Sequence, residues 1–480
     1  MKSNATTTSL SLPAFVLTAT AAAVLASFSG AARADDAPTT ADLDQRIKVL
    51  ERQLEIQQED AAAKAKDATT ASAGEKGFSL KKGDYEIKFS ALAQVDGRFY
   101  LDDGPTDTQP AAPRFNDGFR LRRLRPTIQG TLGKLVGFRF TPEFAGDGSG
   151  LAASIVDAYI DLKFDPAASL RVGKQKGPVG LERLQSGGAI DFVERGYPTE
   201  LVPNRDIGVN LFGELLSSTV NYSVGIFNGT RDGRDIDAAD SDNRHEIEGR
   251  LFTEPFKNAP GVFQGLGFGV GGSTGTRNTR NGTTITNPAQ YRTPGQNTFF
   301  SYASTVFADG TQTRLTPQAY WYYNNVGLLA EYVSSKQELT NSVTTGTGSA
   351  AVTTVTEGKF TNKAYEVTAT YVLTGEDTSY KGVVKPKNSY TIGGPGWGAF
   401  ELAARYGELD VDNDAFTSGF ASATASASKA SSYGVGVNWY LSANAKVVLD
   451  YDHTKFDGGA VAGQDRLAEK TIFTRLQITY

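Results

Sequence analysis

Residues 119–130, FRLRRLRPTIQG, crowd Arg120, Arg122, Arg123 and Arg125 into six positions. Four guanidiniums this close repel one another, so their surroundings must offset the repulsion. A water-filled passage that carries anions does so; the alternative is a basic surface cluster facing anionic lipopolysaccharide. In a strand the four cannot all face one side, but the segment begins at a loop end, where the pattern can bend. Arg139, between Phe138 and Phe140, extends the basic character, and 119–144 holds a single acid, Glu143. A second basic stretch runs over 171–211, RVGKQKGPVGLERLQSGGAIDFVERGYPTELVPNRDIGVNL. It starts as a strand, then loses alternation from Lys176 to Arg205 and gathers Gly, Pro and Ser, more than a connector needs. Folded into a barrel, this loop narrows the lumen, and Lys174, Lys176, Arg183, Arg195 and Arg205 set selectivity.

Other chemistries find little support. The 480-residue chain has no cysteine, which excludes disulfides, thiolate nucleophiles and zinc–thiolate sites. Its two histidines, His245 and His453, stand in no Ser or Asp cluster, so no catalytic residues, cofactor or metal are assigned and the reading is not an enzyme. A net charge of -5 argues against nucleic acid as partner. GLGFGVGG at 265–272 mimics a dinucleotide fingerprint but lies in a strand pattern with no helix after it. The aspartates of 231–242 lack an EF-hand pattern and read as a solvated loop; His453 reads as an ordinary wall residue.

The elements that must position the arginines follow from periodicity. Residues 1–34 have Lys2, an apolar run from about Leu10 to Leu25 and Ala32-Arg33-Ala34, which reads as a signal peptide. Residues 41–66 carry Leu43, Ile47, Leu50 and Leu54 at heptad spacing. This predicts a short periplasmic coiled coil within 35–77, with 62–77 as flexible linker. From 78 to 480, period two dominates. In 84–101 Tyr85, Ile87, Phe89, Val95 and Phe99 alternate with Glu86, Lys88, Gln94, Asp96 and Arg98, and in 471–480 Ile472, Leu476 and Ile478 alternate with Phe473, Arg475 and Gln477. Glycine at 52, with 20 tyrosines and 27 phenylalanines, suits strands and tight turns. Short turns alternate with long polar connections such as 229–243, 274–298 and 341–361. Apolar-out, polar-in strands joined this way predict an all-β transmembrane barrel of sixteen antiparallel strands, with the 176–205 loop turned inward and the last strand closing on the first. Segment 297–307 is either a further strand or a loop strand.

The order of G-K-x-K-x-P-x-x-x-E-x-L-x-S from Gly173, F-x-E-R at 192–195, P-x-R-x-x-G from Pro203 and GIFNG at 225–229 resembles the phosphate-selective porins of Gram-negative outer membranes. RFTPEF, LLAEYV and LAARYGELD extend the resemblance over about 84–480. It implies homotrimers of sixteen-stranded barrels, some with an N-terminal periplasmic coiled coil. It also implies that Arg183 and Ser186 line the central anion site, that Arg195 and the pair Arg122 and Arg123 contact the anion, and that Asp157 shapes the constriction. Gly187 stands where a second serine is common, so one hydroxyl donor is missing. Arg98, Arg125, Arg139, Lys174, Lys176 and Arg205 complete the basic lining. The expected partners are phosphate or related small anions, lipopolysaccharide and, through the coiled coil, peptidoglycan. The alternatives are a porin for other anions, such as pyrophosphate or small carboxylates, and a cell-wall tether.

Overall fold

The computed structural model describes residues 39–67, 69–75, 77–101, 115–145, 153–236, 242–382 and 384–480; the segment 1–34, expected to be a signal peptide, lies outside them. Two units are distinct, Met1–Ala68 and Thr69–Tyr480.

In the first unit a helix covers Thr40–Asp67. Its start is a capping box. The Thr39 hydroxyl accepts the Asp42 amide at 3.3 Å, and the Asp42 carboxylate accepts the Thr39 amide at 3.2 Å. Leu43, Ile47, Leu50 and Leu54 are exposed in the single chain. The linker expected over 62–77 is instead helix as far as Asp67 and strand over Thr70–Gly74, because the Ala- and Lys-rich run 61–66 favours helix.

In the second unit eighteen strands share one sheet. Two of them, Thr70–Gly74 and Gly77–Lys82, form a hairpin laid on the start of the first barrel strand. The other sixteen are β1 (Tyr85–Tyr100), β2 (Gly118–Leu132), β3 (Val136–Glu143), β4 (Ser154–Asp165), β5 (Ala168–Lys176), β6 (Arg205–Leu215), β7 (Val220–Phe227) and β8 (Glu246–Thr253), followed by β9 (Gly265–Asn278), β10 (Val306–Tyr323), β11 (Val326–Thr345), β12 (Val352–Val372), β13 (Ala399–Asp410), β14 (Ala427–Tyr440), β15 (Ala445–Gly458) and β16 (Glu469–Thr479). Each pairs antiparallel with the next, and β16 pairs with β1 from Thr471↔Tyr100 to Thr479↔Leu92, so the cylinder closes without a free edge.

Alternation decides which face meets which medium. On β13, Glu401 and Arg405 are buried while Leu402 and Tyr406 point outward. On β16, Phe473, Arg475 and Gln477 face in while Leu476 and Ile478 face out. An apolar exterior and a polar interior invert the soluble-barrel pattern, as a bilayer requires. Among the described residues no helix is long and apolar enough to cross a membrane.

Two long connections differ from expectation. Residues 341–361 are largely strand, because β11 and β12 stay paired out to Thr345↔Val352. Their Thr- and Val-rich sequence keeps the ladder running after the apolar alternation has stopped. Residues 274–298 contain the end of β9 and two short ladders, Arg280–Asn281 with Thr284–Ile285 and Tyr291–Arg292 with Thr298–Phe300; the second absorbs part of 297–307. GLGFGVGG lies within β9.

Candidate functional site

The arginines of β2 owe their common direction to one extra residue. Opposite β1 the register passes from Gln94↔Arg123 to Val95↔Leu121, which leaves Arg122 as a bulge. A bulge shifts the alternation by one. Phe119, Leu121 and Leu124 then keep to the outer face while Arg120, Arg122, Arg123 and Arg125 all turn inward. Each finds a different environment. Arg122 makes a bidentate pair with Glu194, at 2.6 and 2.9 Å. Arg98 reaches the same carboxylate at 2.6 Å. Arg125 pairs with Glu143 at 2.6 Å. Arg123 donates to Gln94 and leaves its Nε unpartnered.

The segment 177–204 is buried along most of its length and bonded to the inward side chains of many strands. It carries a short helix, Leu181–Leu184, and a 3-10 turn, Tyr197–Glu200. Glu331 on β11 accepts the amides of Leu181 and Glu182 at 2.7 and 3.0 Å. Asp450 on β15 accepts Val193 N–H at 2.6 Å. Arg405 donates to the Glu194 carbonyl at 2.7 Å, and Gln94 and Gln477 donate to the Gly187 and Gly188 carbonyls, both at 2.9 Å. Within the segment, Arg195 donates to the carbonyls of Glu182 at 3.1 Å and Gln185 at 2.7 Å, while Arg183 donates to the Thr199 carbonyl. Burial and then the Arg183 charge push the Arg195 guanidinium below its ordinary value. Burial alone would raise Glu194, but Arg122 and Arg98 hold it well below the usual carboxylate range.

Two cavities occupy the barrel interior. One, of about 1110 Å³, opens toward the long connections and is lined by Arg98, Arg120, Arg122, Arg123, Arg125, Arg183, Arg195 and Arg205. The other, of about 820 Å³, opens toward the short turns; Arg139, Asp157, Lys176 and Ser186 are among its lining residues. Both are lined by Arg125, Gly187 and Arg205, where they meet. At that junction Asp157 bonds Arg205 at 3.2 Å and lies 3.7 Å from Arg139. A Cβ on Gly187 would approach Arg123 Nε to 3.0 Å, so a serine there would crowd the guanidinium. Lys174 lines neither cavity; its ammonium bonds the Ile236 carbonyl at 3.3 Å.

Several residues of this interior were not singled out in the sequence. Buried Arg314 on β10 bonds Asp232 at 2.7 Å and also meets Glu246. Asp232 is therefore a buried ion-pair partner and not part of a solvated acidic loop, because Arg314 lies within its reach; Asp237 and Asp240 of that run lie outside the described residues. A buried carboxylate row, Glu331, Glu366, Glu401, Asp450 and Asp452, lies on β11, β12, β13 and β15. Tyr380, from the long connection 373–398 on the short-turn side, donates to the Leu181 carbonyl at 2.8 Å. Period-two reading shows that such side chains face inward, but not which distant segment meets them. His453 bonds Tyr433 at 2.9 Å.

A family model described as phosphate-selective porin O and P matches residues 93–480. Porin O of Pseudomonas aeruginosa is 32% identical over 101 residues, which are 20% of this chain and 22% of that protein. The match thus spans about a fifth of the relative's length. Among solved structures, the outer-membrane channel DcaP of Acinetobacter baumannii superposes with a TM-score of 0.51 at 10% identity, covering 86% of this chain and 100% of that one. OmpT, an outer-membrane protein of Vibrio cholerae, gives 0.46 at 13% identity over 84% of this chain and 100% of that one.

Proposed function

Because the chain belongs to the phosphate-selective porin O and P family, we propose that it is a passive outer-membrane channel selective for small oxyanions, phosphate foremost. In this reading 177–204 is an inward-folded constriction loop, and Arg122, Arg123, Arg183, Ser186 and Arg195 form the anion path with Arg98, Arg125, Arg139, Lys176 and Arg205 beside it. Lys174 acts at longer range, and Asp157 fixes the constriction by holding Arg205. The channel performs no chemistry on its cargo.

The observation that carries the proposal is the junction of the two cavities at Arg125, Gly187 and Arg205. An ion crossing the interior passes a run of guanidiniums that outnumbers its carboxylates. Glu194 serves both Arg98 and Arg122, and Asp157 faces both Arg205 and Arg139, so cationic charge is left over at each. Guanidinium offers forked donors to tetrahedral oxyanions and keeps its charge at physiological pH. Several moderate sites in series permit flow where one tight site would trap the ion.

Gly187 favours a second reading, a porin of broader anion taste. The hydroxyl expected there is absent, and the Arg123 guanidinium fills the space a side chain would need. Planar-bilayer recordings in chloride separate the two. Block of chloride current by low phosphate concentrations supports phosphate preference. Anion selectivity without block supports the broader channel, and cation selectivity removes both.

The exposed heptad residues of Thr40–Asp67 suit a periplasmic three-chain coiled coil in a homotrimer, downstream of a cleaved signal peptide at 1–34. A helix placed there could also reach the peptidoglycan.

A further inference from the structure

On the outer wall, away from the anion path, an apolar groove of about 930 Å³ crosses β8 to β12. Ala319 and Ala330 face each other across β10 and β11 and form its floor, between Phe268 on one side and Val367 on the other. Tyr332 and Tyr365, opposite one another on β11 and β12, close its upper end. Further toward the long connections stand Lys363, one outward position beyond Tyr365, and Lys336, two outward positions beyond Tyr332. Ser334 pairs with Lys363 and Lys336 with Thr361, so the two lysines are diagonal neighbours, about 7–8 Å apart. Among the described residues neither side chain makes a hydrogen bond or a close ion pair. Asp410 sits across the ladder from Lys363, and Glu338 is taken up by Lys359 at 2.7 Å. Lys336 lies ten residues from Val326 at the short turn, about 26 Å up the wall at ordinary rise and tilt, which is the height of the apolar band. The lysines therefore stand at the headgroup level of the outer leaflet.

We infer that this face is a specific lipid site: Lys336 and Lys363 hold a phosphate of lipopolysaccharide, and one of its acyl chains lies in the groove over Ala319 and Ala330. An acyl chain fits an apolar slot that the side chains leave open, and two neighbouring ammonium groups complement a sugar phosphate, which at Lys363 competes with the facing Asp410 carboxylate. The inference rests only on the outer-membrane reading. All four residues face away from the lumen, so its failure leaves anion conduction untouched.

The test is native mass spectrometry of the full-length protein, extracted from outer membranes and exchanged into mild detergent. Wild type is expected to retain one lipopolysaccharide per chain. The pair K336Q/K363Q should lower retention by about thirtyfold, at roughly five- to sixfold for each lysine charge near the surface. The pair A319L/A330L, which fills the groove and keeps the lysines, should lower it as well. Single-channel conductance, unchanged in both, certifies that the variants are folded. Equal retention in all three proteins overturns the site. Loss with the lysine pair alone overturns the groove, and displacement by phosphatidylglycerol as readily as by lipopolysaccharide overturns the choice of lipid.

Discussion

Glu194 is shared by Arg98 and Arg122, so two guanidiniums are held in place by one negative charge. The consequence is a donor array that stays net positive, as the proposed anion path requires. Arg183 and Arg195 differ from that pair: their donors go to backbone carbonyls, and among the described residues no carboxylate contacts them directly. Replacing them should therefore remove charge without releasing an acid. In Arg183→Ala combined with Arg195→Ala, the concentration of phosphate that half-blocks chloride current is expected to rise about tenfold or more, as for lost hydrogen bonds to a charged partner. The chloride-to-potassium permeability ratio should fall with it. Bilayer reversal potentials in a salt gradient check both; an unchanged ratio would remove these residues from the path.

The bulge at Arg122 converts a local sequence into a charged wall, and it can be tested as an element. Deleting Arg122 restores regular pairing and leaves Arg120, Arg123 and Arg125 inward, so the variant should assemble and show the heat-modifiable mobility of a folded barrel on electrophoresis. Deleting Leu124 has the opposite effect, since either Arg123 or Arg125 must then face lipid. An arginine at the bilayer midplane costs about 2–4 kcal/mol, and this variant should assemble poorly. Equal yields of the two would refute the register argument. The same feature marks how far the sequence could be read. Strict alternation made β1, β13, β14 and β16 legible, because each has one wet and one greasy face. Four arginines in six positions announced that alternation had to break, but the point of breakage depends on how Gln94 and Val95 of another strand receive them. Likewise 176–205 was legible as an overlong basic connection. Its fastening to Glu331, Asp450 and Arg405 was not, because each contact joins residues more than a hundred positions apart.

At the scale of the whole chain, the helix Thr40–Asp67 and the barrel make separable predictions. A few heptads are marginal alone, so in the proposed homotrimer association of the barrels must supply most of the stability. Leu50→Asp with Leu54→Asp should leave the trimer mass by light scattering unchanged and abolish co-sedimentation with purified cell-wall sacculi; loss of the trimer would make the helix the main assembly device. The barrel raises a different question, since a chain of net charge -5 is assigned a preference for anions. Net charge sets a long-range field, and salt screens it over about 10 Å at 0.1 M and about 3 Å at 1 M. The guanidiniums that meet an ion at the junction act within contact distance, where little screening electrolyte intervenes. Two components should therefore separate as salt is raised from 0.1 to 1 M. The chloride-to-potassium permeability ratio, which includes the vestibule field, should decline severalfold, whereas phosphate bound in contact with Arg183 and Arg195 should lose less affinity than the ratio loses. Parallel loss of both would mean that selectivity arises in the vestibules, and that the arginines at the junction of the two cavities act only as distant charges.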